Sequence, residues 1–117
     1  MRIELKPGVE IEPLVPAGAR ILDALKNLPL PFACVITSGR DGVHSGPQDP
    51  HKLGEAYDLR THGLTEDQKQ TWLKMLQSDL GSRFYAFLEA PGAPEEHIHC
   101  QRAKGTVYTL DDYLNNR

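Results

Sequence analysis

The sequence contains little cysteine, no excess of positive charge and no long apolar run, and each shortage excludes a class of protein. Cysteine occurs twice in 117 residues, too few for a disulfide framework or a four-cysteine zinc site. The formal net charge is −3 at pH 7, so no basic surface for nucleic-acid phosphates is expected. No apolar run reaches transmembrane length. We therefore expect a protein that binds neither nucleic acid nor a membrane.

The first residues, MRIELKPGVEIEP, also lack the apolar core of a signal peptide, which indicates a chain that is cytoplasmic as synthesised. The hydrophobic fraction of 39% and the charged fraction of 25% are ordinary for a globular protein. The length is typical of one compact domain, so we expect residues 1–117 to form a single domain. The pattern does not specify an oligomeric state.

Helical and strand patterns are interleaved along the chain without a regular alternation of the two. Apolar spacing predicts one helix over 17–28 and a second that begins at the Thr65 capping box and ends before Gly81. Glycine and proline predict a long loop over 39–52, which includes His44. Strands are predicted at about 3–5, 32–38, 55–61, 83–89 and 97–101. This order of elements indicates an α+β fold.

Two separate motifs contain residues that could bind one metal ion. In "EEHIHCQ", His97 and His99 fall on one face of a strand and Ile98 on the other, although such a pair alone is more typical of a polar surface strand. In "HKLGEAYD", His51 precedes Asp58 in a loop that leads into a strand; without partner histidines this would be an ordinary turn with a capping aspartate. His51, Asp58 and one histidine of the pair supply the three protein ligands of a catalytic zinc site.

Together the two motifs resemble a known family. "HKLGEAYD" matches the His-x-x-Gly-x-Ala-x-Asp signature of the LAS zinc metallopeptidases, which include D-Ala-D-Ala carboxypeptidases and phage cell-wall peptidases. "LEAPGAPEEHIHC" resembles the strand that carries their third ligand, and "HIHC" also occurs in the amino-terminal signalling domain of hedgehog, which shares the zinc fold. The similarity covers about 35–101. It implies a small α+β domain with a central antiparallel sheet and flanking helices.

The resemblance also implies roles for individual residues. Zinc is expected to be bound by His51, Asp58 and His99, with His97 as a hydrogen-bonding partner of a ligand or of the transition state. The reverse assignment of the two neighbouring histidines stays open. Arg40, in "TSGRDG", resembles the family arginine that holds a substrate carbonyl or carboxylate, although a surface arginine gives the same pattern.

Two glutamates are candidates for the general base. Glu89 ends the strand predicted over 83–89 and resembles the glutamate that precedes "HIH" in hedgehog and in phage-type members of the family. Glu96 instead matches the Glu-x-x-His spacing of other members. On a continuous strand Glu96 faces away from His97 and His99, because successive side chains alternate. Glu89 is therefore the favoured base and Glu96 the alternative.

The activity that the resemblance implies is a zinc metallopeptidase that hydrolyses an amide bond in peptidoglycan stem peptides, as a D,D-carboxypeptidase or an endolysin-like endopeptidase. The substrate is expected to carry a D-amino acid near the scissile bond. A chain without a leader suits a phage protein that is released to the cell wall during lysis, and it suits a host cytoplasmic enzyme equally. The alternative is a non-catalytic, hedgehog-like zinc domain that serves as a binding or phage structural module.

Overall fold

The computed structural model describes residues 1–42 and 45–115, which form five β-strands and three α-helices. In chain order these elements are β1 (Ile3–Leu5), α1 (Pro16–Asn27), β2 (Cys34–Ser38), β3 (Ala56–Arg60), α2 (Glu66–Leu80), β4 (Phe84–Glu89), β5 (His97–Arg102) and α3 (Leu110–Leu114). The interleaved strands and helices confirm the predicted α+β class. His44, predicted to lie in the long loop, falls outside the described residues.

The five strands form one mixed sheet in the order β1-β2-β3-β5-β4. The pairs β2–β3, β3–β5 and β5–β4 are antiparallel, as predicted. The edge strand β1 instead pairs parallel with β2, with Ile3 opposite Cys34 and Leu5 opposite Ile36. The prediction of an antiparallel sheet was therefore wrong at this edge. The reason is that α1 connects the two strands, and a chain that crosses over through a helix returns in its original direction.

Side chains of the strands alternate between two faces of the sheet, and α1 and α2 pack on only one of them. On this covered face Leu59 and Ile98 are fully buried and belong to the same hydrophobic core as Ile21 of α1 and Trp72 of α2. The other face, called the open face below, carries the alternate side chains of β3, β5 and β4. These are Ala56, Asp58, Arg60, His97, His99, Gln101, Tyr85, Phe87 and Glu89.

The helix α2 begins and ends where the sequence predicts. The Thr65 side chain accepts a hydrogen bond from the Gln68 backbone N–H, and the Gln68 side chain accepts one from the Thr65 backbone N–H. Gly81, with a φ of 76°, ends the helix. Gln77 Nε2 donates to the Ala86 carbonyl at 2.8 Å and ties the helix to β4. Among the described residues no helix is both long enough and apolar enough to span a membrane.

Candidate metal centre

The fold brings His51, Asp58 and His99 together on the open face, although they come from a loop and from two different strands. Asp58 of β3 lies directly opposite His99 of β5, and the turn before β3 places His51 beside them. His51 Nε2 is 3.3 Å and His99 Nδ1 is 3.0 Å from the same atom, Asp58 Oδ1. The three possible ligand atoms all lie within 4.8 Å of one another. These three residues are called the metal cluster below, after the ion that they could hold.

A hydrogen bond on the far side of the His51 ring determines which nitrogen faces Asp58. His51 Nδ1 lies 3.1 Å from the Gly39 carbonyl oxygen, which can only accept, so Nδ1 carries the proton. The neutral ring therefore presents the lone pair of Nε2 to Asp58. The Asp49 carboxylate accepts from the His51 backbone N–H at 2.8 Å and holds the turn in place. Metal-bound histidines are oriented by the same kind of contact.

Gln101 orients the His99 ring in a comparable way. The amide nitrogen of Gln101 donates to the Arg102 carbonyl at 3.0 Å, which turns the amide oxygen Oε1 toward His99. This oxygen lies 2.7 Å from His99 Nε2 and accepts a hydrogen bond from the Nε2–H group, so the proton of the neutral ring is on Nε2. The neutral His99 ring therefore presents the lone pair of Nδ1 to Asp58. Both histidines are thus held in the tautomer that a metal ligand requires.

Three electron-pair donors consequently converge on one point, and they repel one another unless positive charge is present. Burial raises the pKa of Asp58. When a proton rather than a metal ion occupies His51 Nε2 and His99 Nδ1, these nitrogens donate hydrogen bonds to the carboxylate and hold its pKa well below the usual range. Burial lowers the pKa of His99, but hydrogen bonds to Asp58 and Gln101 raise it above its usual value. The lowered pKa of Asp58 and the raised pKa of His99 both arise from the contacts between the carboxylate and the imidazole rings. The cluster therefore favours bound positive charge, either a proton or a metal ion.

The spacing and chemistry of the cluster fit a zinc ion. Tetrahedral zinc with bonds of about 2.0–2.1 Å to nitrogen and oxygen places neighbouring ligand atoms about 3.3 Å apart. The distances from Asp58 Oδ1 to His51 Nε2 and to His99 Nδ1, 3.3 and 3.0 Å, agree with this spacing. Two imidazoles and one carboxylate form a common ligand set for zinc, and three protein ligands are the number found in catalytic sites.

The two neighbouring histidines of β5 occupy different places in the cluster. His97 Nε2 lies 3.5 Å from Asp58 Oδ1 and 3.5 Å from Glu89 Oε1, between the two carboxylates. The described part of the chain contains two groups of three residues that could hold a metal ion. One consists of His51, Asp58 and His99, and the other consists of Glu89, His97 and His99. The geometry therefore places His99, and not His97, in the group of possible ligands that contains His51 and Asp58, and His97 lies beside that group.

The pairing of β4 with β5 separates the two candidate bases. Glu89 lies directly opposite His97 and is on the open face, with a half-exposed carboxylate. The Glu96 carboxylate is 8% exposed, accepts a hydrogen bond from Thr61 Oγ1 at 2.7 Å and pairs with Lys69 Nζ at 2.6 Å. The structure thus brings Glu89 to the metal cluster, while Glu96 connects β5 to the α2 region.

Replacing Glu96 by glutamine should destabilise the protein at neutral pH and hardly at all in acid. Hydrogen bonds from Lys69, the Gly92 backbone and Thr61 lower the pKa of Glu96 to about 2. A group whose pKa is depressed on folding stabilises the protein fully above its ordinary pKa of 4.5 and loses this contribution as the pH falls toward 2. We expect Glu96→Gln to cost on the order of 1 kcal/mol at pH 7.

Denaturant unfolding of both proteins at pH 7, 5 and 3 measures this effect, and the difference between them should be smallest at pH 3. Glu66→Gln is the matched control, because Glu66 contacts the same Lys69 amine but its side chain is 73% exposed. Exposed ion pairs contribute little, so this variant should unfold like the wild type at every pH. A Glu96→Gln difference that is the same at pH 7 and pH 3 would contradict the assignment.

Arg40 contacts backbone carbonyls around the turn before β3. Its guanidinium donates to the carbonyls of Lys52 at 2.9 Å, Pro13 at 2.8 Å and Leu53 at 3.3 Å. Gly54, with a φ of 78°, lies flat against this group, and a Cβ atom there would be 2.5 Å from Arg40 Nη2. These contacts hold the turn that carries His51. The role of Arg40 toward a substrate stays a prediction.

Two features beside the cluster were not predicted from the sequence. Gln101 orients His99, and its position two residues further along the same strand face was the available signal. Tyr85 and Phe87 stack with ring centroids 5.9 Å apart, and the Phe87 ring lies 5.4 Å from the His99 ring. Both aromatic side chains are more than one-third exposed. We call this pair the aromatic ledge; it borders the metal cluster on the side of β4.

No protein-family model, curated protein or solved structure gives a significant match to this chain. The chemistry of the site therefore follows from its own atoms. It combines ligands for a divalent cation with a half-exposed carboxylate, Glu89, that can accept a proton. Both lie on the face of the sheet opposite the packed helices.

Proposed function

We propose that the protein is a zinc-dependent metallopeptidase of the LAS type, with a hedgehog-like zinc fold, that hydrolyses an amide bond in peptidoglycan stem peptides. The observation that carries the proposal is the convergence of His51 Nε2, Asp58 Oδ1 and His99 Nδ1, each histidine held in the ligating tautomer. These are also the residues at the ligand positions of "HKLGEAYD" and "HIHC". Motif and geometry therefore support the same three ligands.

The proposed chemistry divides between the metal and the protein. Zinc at these ligands supplies a Lewis acid that polarises a carbonyl group and makes a water molecule more acidic. Glu89 serves as the general base that accepts the proton and later donates it to the leaving amine. Its carboxylate is half exposed and lies 3.5 Å from His97 Nε2, so a peptide on the open face can reach it.

His97 is proposed to orient this base and to stabilise negative charge. Its Nδ1 donates to the Glu95 carbonyl at 2.8 Å, which fixes the ring with Nε2 toward Glu89 and Asp58. When both ring nitrogens are protonated, Nε2 donates toward the open face, where the oxyanion of an amide hydrolysis develops. Arg40 supports the site indirectly in this conformation, because it holds the turn that carries the first ligand.

The proposal is tested by measuring bound metal and cleavage products on the same protein preparation. We expect one zinc ion per chain by elemental analysis. Mass spectrometry of digested peptidoglycan should detect new amine and carboxylate ends within the stem peptide, and these ends identify the bond that is cut. Treatment with a chelator should stop the reaction, and added zinc should restore it.

Two other outcomes would each contradict the proposal in a different way. A zinc-loaded protein that cleaves no peptidoglycan fragment would favour the non-catalytic zinc domain, in which the metal supports structure or partner binding. A protein that binds no zinc would exclude both the enzyme and the zinc-dependent binding module. The same two measurements therefore separate all three interpretations of the cluster.

A further inference from the structure

A hollow adjoins His97 at one end of the open face, and the cationic side chains Lys6 and Arg60 form part of its wall. The hollow has a volume of about 250 Å³, and its wall includes Lys6, Thr37, Arg60, His62 and His97. We call it the basic hollow. Because His97 also lies within 3.5 Å of Asp58 Oδ1, the hollow directly adjoins the metal cluster.

Strand register places the basic hollow one row away from the metal ligands. Arg60 lies opposite His97 in the pairing of β3 with β5, and Asp58 lies opposite His99 in the row beside it. Lys6 follows β1, and its backbone N–H donates to the Ile36 carbonyl of β2, which brings it to the same end of the sheet. Adjacent rows on one face are two residues apart, about 7 Å. An extended peptide spans this distance in about two residues.

The charges in the hollow are not neutralised by the protein itself. Within residues 1–42 and 45–115, the Lys6 and Arg60 side chains have no ion pair and no hydrogen bond. Glu96, which also lines the hollow, is already paired with Lys69 Nζ at 2.6 Å. Glu95 contributes the remaining carboxylate at the rim. Two cations against one such carboxylate give the hollow a net positive charge beside the reaction site.

We propose that the basic hollow is a subsite for a carboxylate of the peptide substrate, about two residues from the amide that is hydrolysed. Arg60 offers a planar guanidinium that binds a carboxylate through two hydrogen bonds, and Lys6 adds a second charge. The inference rests on the proposed function and goes beyond it, because it names the group that selects the substrate. The aromatic ledge on the other side of the cluster carries no charge. A bound peptide would therefore place its carboxylate end in the basic hollow and an uncharged part against the ledge.

In a stem peptide whose second residue is amidated, two groups could supply this carboxylate, and the experiment separates them. Three synthetic stem peptides, each with isoglutamine at the second position so that no carboxylate remains there, serve as probes: one with lysine at the third position and a free carboxyl terminus, its terminal amide, and a terminal amide with diaminopimelate at the third position. The first has a terminal carboxylate, the third has only a side-chain carboxylate, and the second has neither. The rate constant kcat/KM is measured for each with the zinc-loaded protein.

We expect one of the two carboxylate-bearing peptides to be cleaved about tenfold more efficiently than the peptide without one, mainly through a lower KM. This advantage should disappear in Arg60→Gln and shrink in Lys6→Gln. Glu95→Gln, which removes the acidic group at the rim, should increase it. Lys104→Gln is the matched control, because Lys104 follows the other end of β5 and its loss should leave the advantage unchanged.

Equal kcat/KM for all three peptides would overturn the subsite, and so would an advantage that survives in the Arg60→Gln, Lys6→Gln double variant. A binding measurement keeps this test separate from that of the proposed function. Calorimetry with the zinc-loaded Glu89→Gln protein gives the Kd of each peptide without turnover. If the wild type hydrolyses nothing, the proposed function fails. The subsite is still supported if a peptide with a carboxylate binds more tightly than the peptide without one and Arg60→Gln abolishes the difference. The subsite is overturned if all three peptides have the same Kd.

Discussion

Replacing Glu89 by glutamine should lower kcat by about 10²- to 10⁴-fold while the zinc content stays at one ion per chain. Glutamine has the shape of glutamate but cannot accept a proton at neutral pH. Glu89 lies opposite His97 and outside the group formed by His51, Asp58 and His99, so its loss removes the base without removing a ligand. Elemental analysis and steady-state kinetics on the same preparation measure both quantities.

Glu96→Gln is the matched control for this experiment. The substitution is the same and lies on the same hairpin, but the Glu96 carboxylate contacts Thr61 and Lys69 and not the cluster. Folded Glu96→Gln protein should therefore keep the kcat of the wild type. The assignment fails if zinc-loaded Glu89→Gln protein is fully active. Loss of activity in Glu96→Gln alone would identify Glu96 as the base.

Removing zinc should lower the melting temperature by on the order of 15 °C. A ligand present at 1,000 times its Kd stabilises the folded state by about 4 kcal/mol, and 1 kcal/mol shifts Tm by about 4 °C in a chain of this size. The structural reason is the repulsion among three electron-pair donors around Asp58 Oδ1, which lies 3.0 Å from His99 Nδ1 and 3.3 Å from His51 Nε2. Thermal unfolding with chelator and with added zinc measures the shift.

Substitutions of the two neighbouring histidines test which one is the ligand. His99→Gln and Asp58→Asn should abolish the zinc-dependent rise in Tm, because each removes one of the three ligands. His97→Gln should keep most of the rise, since this ring lies beside the ligand set. The opposite result for the two histidines would reverse the assignment. A wild-type Tm that is insensitive to chelation would exclude a metal site.

The parts of the fold that could be predicted from the sequence depend on neighbours along the chain. The capping box at Thr65 and the glycine at Gly81 define α2, because a helix end is satisfied by residues within one turn. The parallel pairing of β1 was not predicted. Pairing direction depends on the path of α1 between β1 and β2, and the apolar alternation of Ile3 and Leu5 is the same in either direction.

The residues of the candidate site that could be predicted from the sequence also depend on local pattern. Alternation along β5 was sufficient to place His97 and His99 on one face and Ile98 on the other, because successive side chains of a strand point to opposite sides. The signature "HKLGEAYD" added a histidine and a carboxylate of suitable chemistry. The sequence by itself therefore determined the candidate ligands, the α+β class and the face on which each strand residue lies.

Only the tertiary structure decided which of these groups meet. The register between β4 and β5 places Glu89 opposite His97 across a proline-rich connection, and pairing between strands brings Arg60 beside the cluster. The orientation of the Gln101 amide, and with it the tautomer of His99, depends on a backbone carbonyl. Strand register results from packing between segments far apart in the chain, and the direction of a side-chain hydrogen bond depends on where the backbone carbonyls point once the strand is paired, so the pattern of residue types specifies neither.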